Sequence, residues 1–206
     1  MGECIIDTDS EISLISENGR PSGIIFYSGK FWVSDVAKDH MFAYTLEGVH
    51  DAESSFDFAI PVELSFGLAF HDSKLWVVSF KTKIVTSHDP FIVIDEPVKH
   101  QLDLGNYSPS GLTFYNDRFW LSDFNQDRIF VYKFAEGSSS KILHSLGDEF
   151  TIDVSHAQPR GIDFDNERLW VIEDADKKIH AYGADGTHYP DSVSYTHLTL
   201  PTTPYV

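Results

Sequence analysis

Residues 109–137 read PSGLTFYNDRFWLSDFNQDRIFVYKFAEG. Two apolar-rich runs, GLTF and RFWLSD, are separated by the polar turn YND, and a third run, RIFVYKF, follows the turn FNQD. Apolar residues alternating between turns rich in Asn, Asp and Gly predict three consecutive antiparallel strands. The stretch recurs. Near-copies begin at Pro21 (PSGIIFYSGKFWVSD), Ser65 (SFGLAFHDSKLWVVS) and Pro159 (PRGIDFDNERLWVIED), so the chain is a repeat protein.

Aligned on glycine, the copies place Gly23, Gly67, Gly111 and Gly161 at spacings of 44, 44 and 50 residues. Phe26, Phe70, Phe114 and Phe164 stand three residues later, and all 4 tryptophans of the chain, Trp32, Trp76, Trp120 and Trp170, stand nine later. Phe31, Leu75, Phe119 and Leu169 precede the tryptophans, and Val33, Val77, Leu121 and Val171 follow them. Tyr44, Tyr132 and Tyr182 close the third strand, with His88 in that place in the second copy. A fourth alternating run precedes each glycine: ISLI (12–15), FDFA (56–59), LDLG (102–105) and IDVS (152–155). One period of about 44 residues is the size of a four-stranded propeller blade, an architecture that protects sheet edges by radial repetition. The fold class expected is therefore an all-β propeller built of four-stranded antiparallel blades. Along the first strand, Ile24, Leu68, Leu112 and Ile162 share a face with the Phe column. Ile25, Ala69, Thr113 and Asp163 lie on the other. A Trp and a Phe column repeated in every blade reads as inter-blade core, with an aromatic cage as the alternative.

PSGLTFYNDRFWLSDFNQDRIFVYKF resembles the NHL-type repeat of six-bladed propellers: Pro-x-Gly, an apolar strand, an aromatic-Val-x-Asp strand, then an Asn/Asp turn leading to Arg-Ile. The resemblance covers residues 12–192; the second copy departs from it, with Ser79 in place of the aspartate. It implies a superfold that hosts scaffolds, lyases and lactonases alike. Repeats are expected near 21–64, 65–108, 109–158 and 159–192, with 12–15 as an outer strand. Four countable copies against the six of the resembled family imply part of a larger ring, with four-blade closure as the alternative. VSYTHLTLPT (193–202) shares nothing with the repeats and resembles the translated end of a transposase-type sequencing adapter. Residues 193–206 are accordingly set apart as a non-native tail.

The chain carries 15 Lys+Arg against 32 Asp+Glu, a net charge of −17. Such a surface repels phosphate backbones, so nucleic acid is not an expected partner. One cysteine excludes an intrachain disulfide and a Cys-based zinc site. No apolar run approaches 18 residues, so no membrane segment is expected. The first 20 residues lack a basic-then-apolar leader. The compartment expected is cytoplasmic if Met1 is the true start and secreted if the N-terminus is truncated.

Three sets of residues carry candidate chemistry. The column three after Trp holds Asp35, Ser79, Asp123 and Glu173, which would either hold a hard cation or accept backbone N–H groups in the following turn. Asp163 breaks its column; on an inner strand it needs water, a cation or a partner, and it reads as a ligand or general base facing the channel or as a solvated channel residue, with a pair to Arg160 beside it near the mouth. The loops ENGRPS, PVELSF, GNYSPS and SHAQPR differ between copies, as binding loops on a rigid scaffold do. Arg20, Tyr107, His156, Gln158 and Arg160 are expected to line that rim, joined by His40 and Asp163. No catalytic set is identified: there is no His-Glu-x-x-His, no G-x-S-x-G and no phosphate-binding glycine loop. The reading reached is a non-catalytic propeller binding a protein, peptide or glycan through rim loops, with no cofactor. The alternative is an enzyme similar to the gluconolactonase or streptogramin-lyase propellers. Those families hold a divalent metal near the channel mouth; here a cation such as calcium would fall to Asp163, Glu173 and His156.

Overall fold

The computed structural model describes residues 12–58, 65–89, 98–102, 105–134, 142–152, 158–175 and 177–189. Among these residues there is no helix and there are sixteen strands, grouped as blades. The first blade is β1 (Pro21–Tyr27), β2 (Lys30–Asp35), β3 (His40–Tyr44) and β4 (Phe56–Asp57). The second is β5 (Ser65–His71), β6 (Lys74–Ser79), β7 (Ile84–His88) and β8 (Val98–Leu102). The third is β9 (Pro109–Tyr115), β10 (Arg118–Asp123), β11 (Arg128–Phe134), β12 (Ile142–Ser145) and β13 (Phe150–Thr151). The fourth is β14 (Pro159–Phe164), β15 (Leu169–Glu173) and β16 (Lys178–Tyr182). No helix of the described residues is long and apolar enough to cross a membrane.

Within a blade the strands pair antiparallel in chain order, because two-residue turns join the first and second. Tyr27↔Lys30, His71↔Lys74 and Tyr115↔Arg118 close these hairpins. The residues between them all have positive φ: Ser28 and Gly29, Asp72 and Ser73, Asn116 and Asp117. That is the type I′ turn, whose twist matches that of the flanking strands and which selects Gly, Asn and Asp.

The outermost strands depart from the expected pattern. Residues 12–15 form no strand; they cross the first blade, where Ile15 packs on Val33, Phe42 and Tyr44. Asn18 Nδ2 then donates to the Tyr44 hydroxyl at 3.3 Å. The edge of the third blade is split between β12, at the Tyr132–Phe134 end of β11, and β13, at its Arg128–Ile129 end. β12 also pairs parallel with β8, so the second and third blades share one continuous sheet. The adapter-like tail, 193–206, lies outside the described residues.

The Trp column is inter-blade core, as read. Each indole lies on the face turned to the next blade: Trp32 meets Leu68, Leu75 and Val77, and Trp120 meets Leu169, Val171 and Tyr182. Each donates its N–H five residues back, to Tyr27 O (3.1 Å), His71 O (3.0 Å) and Tyr115 O (3.2 Å), which satisfies the one polar atom buried with the ring. Trp170, followed by no further blade among the described residues, is only half-buried and donates to Asp165 Oδ2. Tyr27 on Phe70, His71 on Phe114 and Tyr115 on Phe164 stack at 3.8, 3.4 and 4.1 Å, tying each inner strand to the next.

His88 replaces the Tyr column in the second blade and is buried against Phe58, 2.8 Å from Thr86 Oγ1. Burial lowers its pKa to about 4, against about 6.5 in an unfolded chain. Between those values the unfolded chain binds a proton that the folded one refuses. Stability from this group is therefore complete above pH 6.5 and is lost as pH falls toward 4. His71, lowered by burial and opposed by Asp72 and Asp117, adds the same sign. The expected result is a urea midpoint that drops from pH 7 to pH 4.5, with a smaller drop in His88→Tyr, which restores the column. Equal drops in the two proteins would exclude His88 as the cause.

Candidate functional site

The inner strands β1, β5, β9 and β14 stand side by side around an axis, and β14 also reaches β5. At the start of each, the pairing with the second strand slips by a residue at the glycine. The bulged residues are Ser22, Phe66, Ser110 and Arg160. A bulge re-aims its side chain and leaves a backbone group without its ladder partner. In the first and third blades a serine on the second strand supplies that partner: Gly23 N donates to Ser34 Oγ (3.0 Å) and Gly111 N to Ser122 Oγ (2.7 Å).

In the second and fourth blades the re-aimed side chains are Phe66 and Arg160, and they meet. The Arg160 guanidinium lies 4.0 Å from the Phe124 ring centroid and 5.8 Å from that of Phe66. It also pairs with Asp174 Oδ2 at 3.1 Å. The hydrogen bonds of Lys177 and Arg160 hold the Asp174 carboxyl below the usual range. The expected Arg160–Asp163 pair is thus not formed. Their positions on the strand are three apart and project differently, and Asp174 at the end of β15 lies within reach. Phe66, Phe124 and Asp174 were not identified from the sequence as rim residues; the one signal was that Phe66 and Arg160 break the serine column.

Two members of the carboxylate column, Asp35 and Asp123, are turn acceptors. Asp35, fully buried, accepts from the backbone N–H of Arg20 (2.9 Å), Ala37 (2.8 Å) and Lys38 (3.1 Å). Burial by itself would raise its pKa, but those donors together lower it. Asp123, also fully buried, accepts from Tyr107 N (2.6 Å), Ser108 N (2.8 Å), Asn125 N and Gln126 N (both 2.9 Å). Ser79 Oγ accepts from Thr82 N at 3.1 Å. Glu173, one methylene longer, reaches the Tyr182 hydroxyl at 2.8 Å. Among the described residues no three His, Cys, Asp or Glu side chains are grouped to hold a metal ion.

The loops held this way present their side chains outward. Tyr107 is 63% exposed, with Lys83 Nζ 5.5 Å from its ring centroid. Arg20 and Gln158 are exposed, and Gln158 N donates to Asp127 Oδ1 at 2.7 Å. His40 lies toward the outer edge, its Nδ1 2.6 Å from Asp57 Oδ1 on β4. His156 lies outside the described residues. Asn106-Tyr107-Ser108 has the form of a glycosylation sequon, and its Asn106 is buried.

Asp163 sits deeper. It lines two cavities along the axis, one of about 760 Å³ and one of about 460 Å³, and Thr113 Oγ1 donates to its Oδ1 at 2.9 Å. The larger is bounded by Ile25, Phe26, Ala69, His71 and Phe114. Its lining mixes these apolar side chains with the polar groups of Asp72, Ser73, Thr113 and Asp163.

No known family model matches the sequence, and no curated protein does. Solved structures match the fold. A streptogramin B lyase is 18% identical with a TM-score of 0.57, over 82% of this chain and 53% of that one. Myxococcus xanthus glutaminyl cyclase is 14% identical with a TM-score of 0.60, over 82% of this chain and 68% of that one. The nidogen/laminin complex is 17% identical with a TM-score of 0.50, over 69% and 51%. The chain spans about half the length of the lyase it matches. At these identities the likeness extends to the fold alone: the chain is an all-β propeller.

Proposed function

We propose that the chain is an NHL-type propeller, part of a six-bladed ring, that binds a protein, peptide or glycan through its rim loops without catalysis. One observation carries this reading. The buried carboxylates Asp35 and Asp123 spend their oxygens on loop backbone, which stiffens the rim while Arg20, Tyr107 and Gln158 stay exposed. Exposed tyrosine and arginine on a pre-organised backbone are what interface hot spots are made of. The net charge of −17 argues against a nucleic-acid partner.

The test is selection of binders from a displayed library of random peptides, followed by a double variant, Arg20→Ala with Tyr107→Ala. Peptides selected on the parent are expected to lose about tenfold or more in affinity for the variant. Unchanged affinity would remove the rim from the reading.

The second reading is a metal-dependent lactonase-like or lyase-like propeller with a divalent cation such as calcium at the channel mouth. Asp163 in the channel favours it. Glu173, however, is turned to Tyr182 and the described residues group no three ligands, whereas calcium takes six or more oxygens. A melting temperature raised by Ca²⁺, Mn²⁺ or Zn²⁺ would favour this reading over the first.

A further inference from the structure

Two columns of the repeat meet where the inner strands begin. One is the bulged residue, Ser22, Phe66, Ser110 and Arg160. The other directly follows the carboxylate column: Val36, Phe80, Phe124 and Asp174. In the second to fourth blades their members touch. The Phe66 and Phe80 rings meet edge to face at 5.9 Å, and the Arg160 guanidinium lies 5.8 Å from the Phe66 centroid and 4.0 Å from that of Phe124. The three rings are half-buried and the Arg160 side chain is 38% exposed. These contacts run from the fourth blade back over the third and second, along the blade edge that forms the rim. They do not lie on a face that one blade turns to the next.

An arginine laid on an aromatic ring is held in orientation while its N–H edge stays available, and a carboxylate is the group whose two oxygens match that edge. Asp174 Oδ2, at 3.1 Å from Nη2, is the one acceptor of the Arg160 guanidinium among the described residues. Asp174 also pairs with Lys177, so the three groups together carry one net positive charge. The turn that holds Phe80 carries Lys83, whose ammonium lies over Tyr107 and has no carboxylate beside it among the described residues. A chain of net charge −17 thus sets under-compensated cations among half-buried and exposed rings on this rim. The same overall charge repels an occupant with several negative groups, so the chemistry that fits is a single carboxylate with a ring close to it. Arg160 and Phe66 are near neighbours, which calls for a short link between the two. In a C-terminal aromatic residue only a few bonds part the carboxylate from the ring, and in an internal acidic residue beside an aromatic one more than twice as many do.

We propose that the mouth formed by Phe66, Phe80, Phe124 and Arg160 receives the C-terminus of a peptide that ends in an aromatic residue. The terminal carboxylate lies on the N–H edge of Arg160, and the terminal ring packs on Phe66 and Phe80. The proposal rests on the reading of the rim as a binding surface and names what that surface takes.

Calorimetric titration of the full chain with N-acetyl-phenylalanine, its C-terminal amide and N-acetyl-alanine tests it. The phenylalanine acid is expected to bind with a Kd of about 1 mM or tighter, and the amide and the alanine acid about tenfold or more weaker. That comparison needs no variant. Arg160→Gln should lose about tenfold or more for the phenylalanine acid and bind acid and amide alike, a change of preference that lost packing alone does not produce. Phe66→Ser, which installs the residue of the first and third blades, should weaken acid and amide together and keep the preference for the acid. Tighter binding of N-acetyl-aspartyl-phenylalanine amide than of N-acetyl-alanyl-phenylalanine would assign the carboxylate to an internal side chain and overturn the terminus. Equal affinity for acid and amide in the parent, a parent-like preference in Arg160→Gln, or no binding of N-acetyl-phenylalanine would each overturn the proposal. The rim reading fails separately, because Arg20→Ala with Tyr107→Ala leaves the four mouth residues in place. Library peptides that lose affinity in that double variant and bind Arg160→Gln like the parent would keep the rim and exclude the mouth.

Discussion

Asp123→Ala is expected to lower the unfolding free energy by about 4 kcal/mol, measured by urea denaturation. The side chain is fully buried and accepts four backbone N–H groups from two separate segments, Tyr107 and Ser108 before β9 and Asn125 and Gln126 after β10. Gln126 Nε2 adds a fifth contact at 2.9 Å. Alanine leaves these donors in a space that water enters poorly, and each unsatisfied group costs about 1–3 kcal/mol before the loop relaxes. Ser79→Ala is the control, because the hydroxyl there serves Thr82 N. It should cost about 1 kcal/mol. Hydrogen exchange should show faster opening at Tyr107, Ser108, Asn125 and Gln126 in the Asp123 variant and not elsewhere. Equal costs for the two variants would mean that the carboxylate does not hold the rim, and would remove the support on which the binding reading rests.

Gly111→Ala is expected to cost about 3 kcal/mol, a fall in melting temperature of roughly 6–12 °C. A Cβ on Gly111 would stand 2.3 Å from Arg160 O and 2.8 Å from Ser122 Oγ. Gly67 is similar: its Cβ would meet Leu112 N at 2.5 Å and the carbonyl carbon of Gly111 at 2.7 Å. These are backbone atoms of the next inner strand, which cannot swing aside as a side chain would. Gly161 differs. Its Cβ would meet only Ile172 Cδ1, at 3.4 Å, a contact that yields at little cost. Gly161→Ala should therefore lie within about 0.5 kcal/mol of the parent. Thermal melts of the two variants side by side decide the matter. A Gly111→Ala protein as stable as Gly161→Ala would show that the inner strands are not in contact at this level.

Much of the fold was legible in the chain because its information is local and repeated. Type I′ turns need positive φ, so Ser28-Gly29, Asp72-Ser73 and Asn116-Asp117 announce themselves as hairpin turns. Alternation decides which side chains share a face, and a Trp present in every copy has to be shared structure. The site was legible only in part. That Asp35 and Asp123 accept turn N–H groups was one of two open readings, and the local geometry of the turn selects it. Asp163 was marked by breaking its column, which is also a local signal.

Other features depended on neighbours that no spacing reveals. Arg160 has a long stem and a bulged backbone, and its partner is whichever carboxylate the adjacent strand delivers, which is Asp174 and not the nearer-in-sequence Asp163. Residues 12–15 alternate like a strand but lie across Val33, Phe42 and Tyr44, because burying Ile15 there needs no ladder. The parallel pairing of β12 with β8 joins segments some 40 residues apart, a contact that only the placement of two blades brings about. The repeat, the blade and the identity of the core columns follow from periodicity and turn chemistry within one copy. Why the glycines are glycines, what Arg160 faces and what surrounds Asp163 depend instead on how closely separate blades approach one axis, which no single copy encodes.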